Sequence, residues 1–517
     1  MKAKLVVIIL IINCTAALSL WGFFRASISL GEWRRDIKTR NNLAAQAARG
    51  DKAAGIHLDK GILGDRKKFE SALESLKEKY RKITAADSLV YLKIPEAEFL
   101  KSFISYFFLL NNAGGDEVVL DDEIVNKFRN QGILLYSMDK RYPFMKKSIY
   151  LEPRHKTRNK PEVRVGTNVI IIFFESLSKF FLRDDVYGIK GLTPNIKDMQ
   201  QHSYSFSNMY NAAFPTVKGL IAALGSSSYL LDENIGGTRI RIPCRFLFLS
   251  SILKSLDYTT THIQAGSERF IGMKTFFTER EGYDNFYGSE SLALKNIGHL
   301  AEGFGVDDTA LFNYVVDWLE DYSSNKPFLL TVSTINMHPP FKITDRNPDA
   351  GDNDLLNSLY STDKAFGRFW SYFKKSKLRN NTLVIVTADH AMGNNKDYIA
   401  FANKYRSYFK PFFDLIPCFV YFPGGAWAGK SNDTACLNLD IVPTLLDMMN
   451  LDLPNPFIGL PIFSGRQYYE RGSGSIFDVK IDLDEKRLEG ERKVLGFYFH
   501  LYRTDRIIPP DYKVRFN

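Results

Sequence analysis

Four short, widely separated segments carry side chains that could meet around one reacting group: Glu175 in NVIIIFFES, Thr216 in FPTVKG, His338 in TVSTINMHPPF, and the adjacent Asp389 and His390 in TLVIVTADHA. Two carboxylates, an imidazole and a hydroxyl form a donor set for one divalent cation, and the hydroxyl oxygen is a nucleophile that such a cation can activate. The chemistry this set suits is attack on phosphorus or sulfur. Mixed oxygen and nitrogen ligation is compatible with manganese, zinc or magnesium.

These residues must be carried to one place. Glu175 and the Asp389–His390 pair each follow an apolar run of the kind that forms a strand covered on both faces. A polar side chain directly after such a strand stands at the carboxyl edge of a parallel sheet, where ligands bind. Thr216 follows Pro215 and opens the helical pattern TVKGLIAAL. Its hydroxyl would sit where free N–H groups and the helix dipole favour an anion; an ordinary N-cap role is the alternative. Further strands are expected at 259–263, 328–334, 382–388 and 418–422, and helices at 193–202, 216–224, 307–322, 355–375 and 441–449. This alternation predicts an α/β fold with a mainly parallel sheet sandwiched by helices.

The 517 residues, 45% of them hydrophobic, are enough for a large core. The net charge of +10 favours anionic surroundings such as a lipid surface. Basic residues are scattered apart from PRHKTRNKPEVR at 153–164, and with no nucleic-acid motif present, nucleic acid is not an expected partner. Of four cysteines, Cys14 lies in the apolar N-terminus; a disulfide between two of Cys244, Cys418 and Cys436 is left open. Residues 5–24 are mostly apolar and long enough to cross a bilayer. The run LSLWGFF continues past Ala17, which favours a retained single-pass anchor over a signal peptide cut near that alanine.

The expected organisation is therefore an anchor or signal segment at 1–24, a tether and helical stem at 25–165, a catalytic domain at 166–470 and a C-terminal extension at 471–517. Within the stem, 65–84 places Phe69, Leu73, Leu76, Tyr80 and Ile83 on one helical face, and 99–112 is a second apolar stretch. The catalytic domain is expected on the extracytoplasmic side of the cell membrane.

In order and spacing, NVIIIFFESLS, LTPNIKDM, SYSFSNMYNAAFPTVKGLIAALGSSSY, GYDNFYG, PFLLTVSTINMHPPF, VIVTADHA, PCFVYFPGG and LDIVPTLLDMMNLDLPNPFIGLPIF resemble the alkaline phosphatase/sulfatase superfamily. Within it, the chain resembles the lipoteichoic acid synthase-like phosphoglycerol transferases. The resemblance covers about 168–465. It implies that Glu175, Thr216, Asp389 and His390 bind one divalent ion, manganese before zinc or magnesium, with Thr216 also the nucleophile. It implies that His338 contacts substrate and protonates the leaving oxygen, and that His262 and Arg269, in THIQAGSERF, hold substrate phosphate and glycerol.

The implied reaction moves phosphoglycerol, or a related phospho-headgroup, from a membrane phospholipid to a glycan or glycolipid of the cell envelope through a phospho-threonine. The synthases read Asp-His-Gly where this chain has Ala391. One apolar segment is expected to stand in for their multispan helical region. The alternatives are a phosphodiesterase- or sulfatase-type hydrolase and a phosphoethanolamine transferase. Against the sulfatase, FPTVKG lacks the Cys/Ser-x-Pro-x-Arg motif that sulfatases modify.

Overall fold

The computed structural model describes residues 142, 144–150, 160–183, 187–227, 245–280, 282–295, 305–393, 395–405, 414–464 and 505–517. The expected membrane segment, the tether, the 65–84 and 99–112 stretches, Cys14, Cys244 and most of the 471–517 extension lie outside them. Among the described residues, no helix is long and apolar enough to cross a membrane.

Eight strands form one sheet: β1 (Asn168–Phe174), β2 (Tyr204–Tyr210), β3 (Thr259–Gln264), β4 (Asn285–Tyr287), β5 (Phe328–Ser333), β6 (Thr382–Ala388), β7 (Cys418–Tyr421) and β8 (Ser431–Leu437). Their spatial order is β4-β3-β5-β1-β6-β7-β2-β8. At the centre β1 pairs in parallel with β5 and β6, placing Ile171 beside Thr331 and Ile385. β7 is antiparallel to both its neighbours and alone runs against the others. The sheet is thus mixed but mainly parallel. β1 and β6 are buried at every position, which is why they read as unbroken apolar runs.

Among the described residues, the α-helices of six or more residues are α1 (Pro194–Gln201), α2 (Thr216–Gly225), α3 (Leu249–Lys254), α4 (Ser289–Lys295), α5 (Asp308–Asp321), α6 (Asp354–Lys375), α7 (Lys396–Tyr405) and α8 (Ile441–Met448). Helix α6 shows how locally they are specified. The Asn353 side chain accepts the Leu356 N–H at its start, Lys374 and Lys375 lie in its last turn, and Phe366, Phe369, Trp370 and Phe373 form its buried stripe.

One continuous apolar core runs through the sheet and these helices, and it extends past the expected boundaries of the catalytic domain. Ile149, Tyr150 and Val163 upstream, and Ile507 and Ile508 near the C-terminus, are part of it. Cys418 and Cys436 are both buried and unpaired, so they form no disulfide with each other.

Candidate metal centre

Phe174 of β1 lies opposite Ala388 of β6. The residues that follow, Glu175 and Asp389, therefore leave the sheet side by side at its carboxyl edge. Glu175, Asp389 and His390 each offer a ligand atom, all within 4.8 Å of one another, and all three residues are buried. His390 Nε2 lies 3.3 Å from Asp389 Oδ2 and 3.6 Å from Glu175 Oε1. Thr216, the first residue of α2, joins them by donating its hydroxyl to Glu175 Oε2 at 3.1 Å. The four residues expected as cation ligands thus lie together.

The chemistry of the group is compatible with a cation. Asp389 Oδ2 is buried and accepts no hydrogen bond among the described residues, a costly state for an anionic oxygen. Burial, and then the Glu175 carboxylate, push Asp389 up to about 7. Burial also resists ionisation of Glu175, yet the charges of His390 and His338 and a hydrogen bond from Ser176 hold it below its usual value. For His390, burial resists protonation, but the Asp389 and Glu175 carboxylates prevail and raise its proton affinity. A bound divalent ion would supply the positive charge these two carboxylates share too little of. Two oxygen donors and an imidazole suit such an ion.

The ligand atoms are held from behind. His390 Nδ1 is 2.8 Å from the Ala391 carbonyl, which assigns the proton to Nδ1 and leaves the Nε2 lone pair toward the carboxylates. Phe214 packs its ring edgewise on His390 at 4.9 Å. The Glu175 N–H donates to Thr334 Oγ1 at 2.9 Å. Asn438 Oδ1 accepts the Ala212 N–H at 2.9 Å, and its Nδ2 donates to the Asp389 carbonyl at 3.4 Å. Asn211 Oδ1 accepts the Ala391 N–H at 3.2 Å while its Nδ2 donates to the Ala213 carbonyl. Both asparagines tie the loop before Thr216 to the Asp389–His390 turn. Neither stood out in the sequence, because a lone asparagine in a loop carries no spacing signal.

His338, in the turn after β5, is half-buried, with Nδ1 2.7 Å from the Pro339 carbonyl. It lies close enough to Glu175 for a positive charge on its ring to favour the ionised carboxylate. His262 and Arg269 are not drawn into the group. The His262 ring is fully buried, stacked at 5.0 Å on both Phe277 and Phe286, with Nδ1 2.7 Å from Thr331 Oγ1. Burial pushes its pKa down to about 3, so it is a neutral core histidine here. The expected contact with substrate does not fit this position, because the two rings cover it. Arg269 is exposed in the turn after β3, where its N–H donates to Ser267 Oγ.

Comparison with known proteins places the fold. The chain is 22% identical over 486 residues to lipoteichoic acid synthase 2 of Bacillus subtilis, covering 84% of this chain and 72% of that protein. It is 23% identical over 262 residues to phosphoglycerol transferase I of Xanthomonas campestris pv. campestris, covering 47% of this chain and 36% of that protein. The chain thus spans about a third of the length of that relative. A protein of the alkaline phosphatase superfamily from Vibrio parahaemolyticus superposes with a TM-score of 0.57 at 21% identity, over 75% of this chain and 98% of that one. The lipoteichoic acid synthase of Listeria monocytogenes does so with a TM-score of 0.54 at 19% identity, over 73% and 97%. At these identities the likeness establishes a shared fold. The sulfatase family model matches residues 167–451, more than half of the chain and the whole span from β1 through α8. The chain belongs to the sulfatase family.

Proposed function

We propose that the chain is a metal-dependent transferase that moves phosphoglycerol, or a related phospho-headgroup, from a membrane phospholipid to a glycan or glycolipid acceptor of the cell envelope. The observation that carries this reading is the Thr216 hydroxyl, at the start of α2 and 3.1 Å from Glu175, beside a buried cluster of side chains that could hold a cation. Its similarity to proteins named as phosphoglycerol transferase and lipoteichoic acid synthase supports it.

In this reading Glu175, Thr216, Asp389 and His390 hold one divalent ion, manganese before zinc or magnesium. When bound, the ion supplies positive charge that favours an ionised hydroxyl and offsets charge on the transferring phosphoryl group. The chain's own groups do the rest. Thr216 Oγ1 forms a bond to phosphorus as the bond from phosphorus to the diacylglycerol oxygen breaks. His338 gives that departing oxygen its proton. An acceptor hydroxyl then forms a bond to phosphorus, giving its proton to His338, as the bond from phosphorus to Thr216 Oγ1 breaks and returns the threonine oxygen to its ionised form. Arg269, exposed in the turn after β3, meets the anionic headgroup. The 5–24 segment anchors the chain in this reading, the 166–470 domain acts outside the cytoplasm, and the net charge of +10 draws it to anionic lipid.

The test is incubation of the full chain and Mn2+ with vesicles of labelled phosphatidylglycerol or phosphatidylethanolamine, followed by mass analysis of the peptide containing Thr216. Release of diacylglycerol from phosphatidylglycerol, with a glycerol-phosphate adduct on Thr216, is expected. Chelation should stop it and added Mn2+ should restore it. Turnover without any adduct would place the nucleophile elsewhere. Free glycerol phosphate as the sole product, with acceptor glycolipid present, would make the protein a hydrolase. Preference for phosphatidylethanolamine would change the headgroup.

A further inference from the structure

Ser176 follows Glu175 with a φ of 56°. This is the left-handed region, which costs a non-glycine residue energy and persists only where the surroundings enforce it. Glycine would make the same turn without strain, so the serine side chain calls for a reason. The turned backbone sends both of its donors to the cluster. The N–H donates to Asp389 Oδ1 at 3.0 Å, and the hydroxyl donates to Glu175 Oε1 at 2.7 Å. Both are bonds to carboxylates, the stronger class of hydrogen bond. Ser176 is buried, so water does not compete for either acceptor.

The placement matters because Glu175 and Asp389 leave different strands. Sheet pairing fixes their backbones but not the rotation of their side chains. With Oε1 held by Ser176, the other Glu175 oxygen is the one that meets the Thr216 hydroxyl. With Oδ1 taken by the Ser176 and His390 N–H groups, Asp389 is left with its unpartnered Oδ2 beside His390 Nε2.

We propose that Ser176 is the positioning residue of the centre: its hydroxyl sets the Glu175 carboxylate for both the cation and the nucleophile, and its strained backbone holds Asp389. This rests on the metal-centre reading of the preceding section. Ser176 touches neither substrate nor cation in this role; it acts through the two carboxylates.

Two substitutions separate the hydroxyl from the turn. Ser176→Gly keeps the N–H, relieves the strain and removes the hydroxyl. Ser176→Ala removes the hydroxyl and keeps the strain. The experiment is calorimetric titration of Mn2+ into the full chain, as wild type, Ser176→Gly, Ser176→Ala and Asp389→Ala, with the melting temperature of each metal-free protein and kcat and KM on phosphatidylglycerol vesicles. Ser176→Gly should melt no lower than wild type yet bind Mn2+ about 10–100-fold more weakly, the scale for loss of a group that orients a metal ligand. At saturating Mn2+ its kcat should fall while KM for lipid holds. Ser176→Ala should show the same metal defect; if it fails to fold, Ser176→Gly decides alone. Wild-type Mn2+ affinity and kcat in Ser176→Gly would show a serine that only shapes the turn, and would overturn the proposal. A different result marks failure of the metal-centre reading itself, and of this proposal with it: no Mn2+ binding by wild type, or binding undiminished in Asp389→Ala.

Discussion

Thr216 is the group on which the proposed chemistry depends, and it carries the only hydroxyl within α2. Ser226 and Ser227 lie at the far end of α2, some 10 residues and so about 15 Å further along the helix. Thr216→Ala should therefore lower turnover of labelled phosphatidylglycerol by roughly four to six orders of magnitude, the scale for deletion of a nucleophile. Thr216→Ser should keep a measurable fraction, since the attacking oxygen remains. The side chain is half-buried, so circular dichroism should show a melting temperature within a few degrees of wild type for both. Near-wild-type turnover in Thr216→Ala would place the nucleophile elsewhere. Glu175, Asp389 and His390 were legible in the sequence because each comes right after an apolar strand, and Thr216 because Pro215 marks a helix start. His262 was not, because the rings that cover it, Phe277 and Phe286, arrive from later segments. Nor was Ser176, whose grip depends on a backbone angle that no side-chain pattern encodes.

The elements set how closely these side chains meet. Helix α2 rests on the Asp389 turn at Gly219, where an added Cβ would lie 2.2 Å from the Asp389 carbonyl oxygen and 2.8 Å from its carbon. Both are backbone atoms, held further by Asn438, so neither can move aside alone. Gly219→Ala should then force α2 away from the turn. The expected cost is about 1–3 kcal/mol, as for other overpacked sites, read as a drop of several degrees in melting temperature. Because Thr216 opens the same helix, kcat should fall further than the stability loss explains. A variant with wild-type melting temperature and kcat would show that the helix has slack at this contact. The central strands and helices α1, α2, α5, α6 and α8 were legible because each buries a periodic or continuous apolar set. β2, β4 and β8 were not, nor were helices α3, α4 and α7. β2 reads YSFSNMY and β8 reads SNDTACL, with half-exposed or exposed positions along both. β4 has only three residues. Such strands owe their form to a pairing partner more than to their own composition.

At the scale of the molecule, the chain closes on itself behind α8. The carboxylate of Asp452 accepts from Ser148 and from the Ile149 N–H, its carbonyl accepts from the Asn517 N–H, and the Tyr512 hydroxyl donates to the Pro454 carbonyl. The Lys160 ammonium and the Tyr150 hydroxyl both donate to the Asp447 carboxylate at the base of this closure. The Lys160–Asp447 pair is almost wholly buried, with 1% and 0% of the two side chains exposed. Segments on either side of the expected boundaries at 165 and 471 thus belong to one packed unit with the catalytic sheet. α8 also packs on α2, so the closure backs the helix that carries Thr216. A buried ion pair adds little over a well-packed apolar pair, but removing one partner strands the other charge. Lys160→Met should therefore destabilise the protein by about 3–5 kcal/mol, measured by denaturant unfolding. Replacing all three groups, with Lys160→Met, Asp447→Leu and Tyr150→Phe together, should recover most of that loss, because no charge is left without its partner. If Lys160→Met alone unfolds like wild type, the ion pair does not tie the upstream segment to α8. If the triple variant is no more stable than Lys160→Met, the loss comes from packing of the lysine stem rather than from the stranded carboxylate.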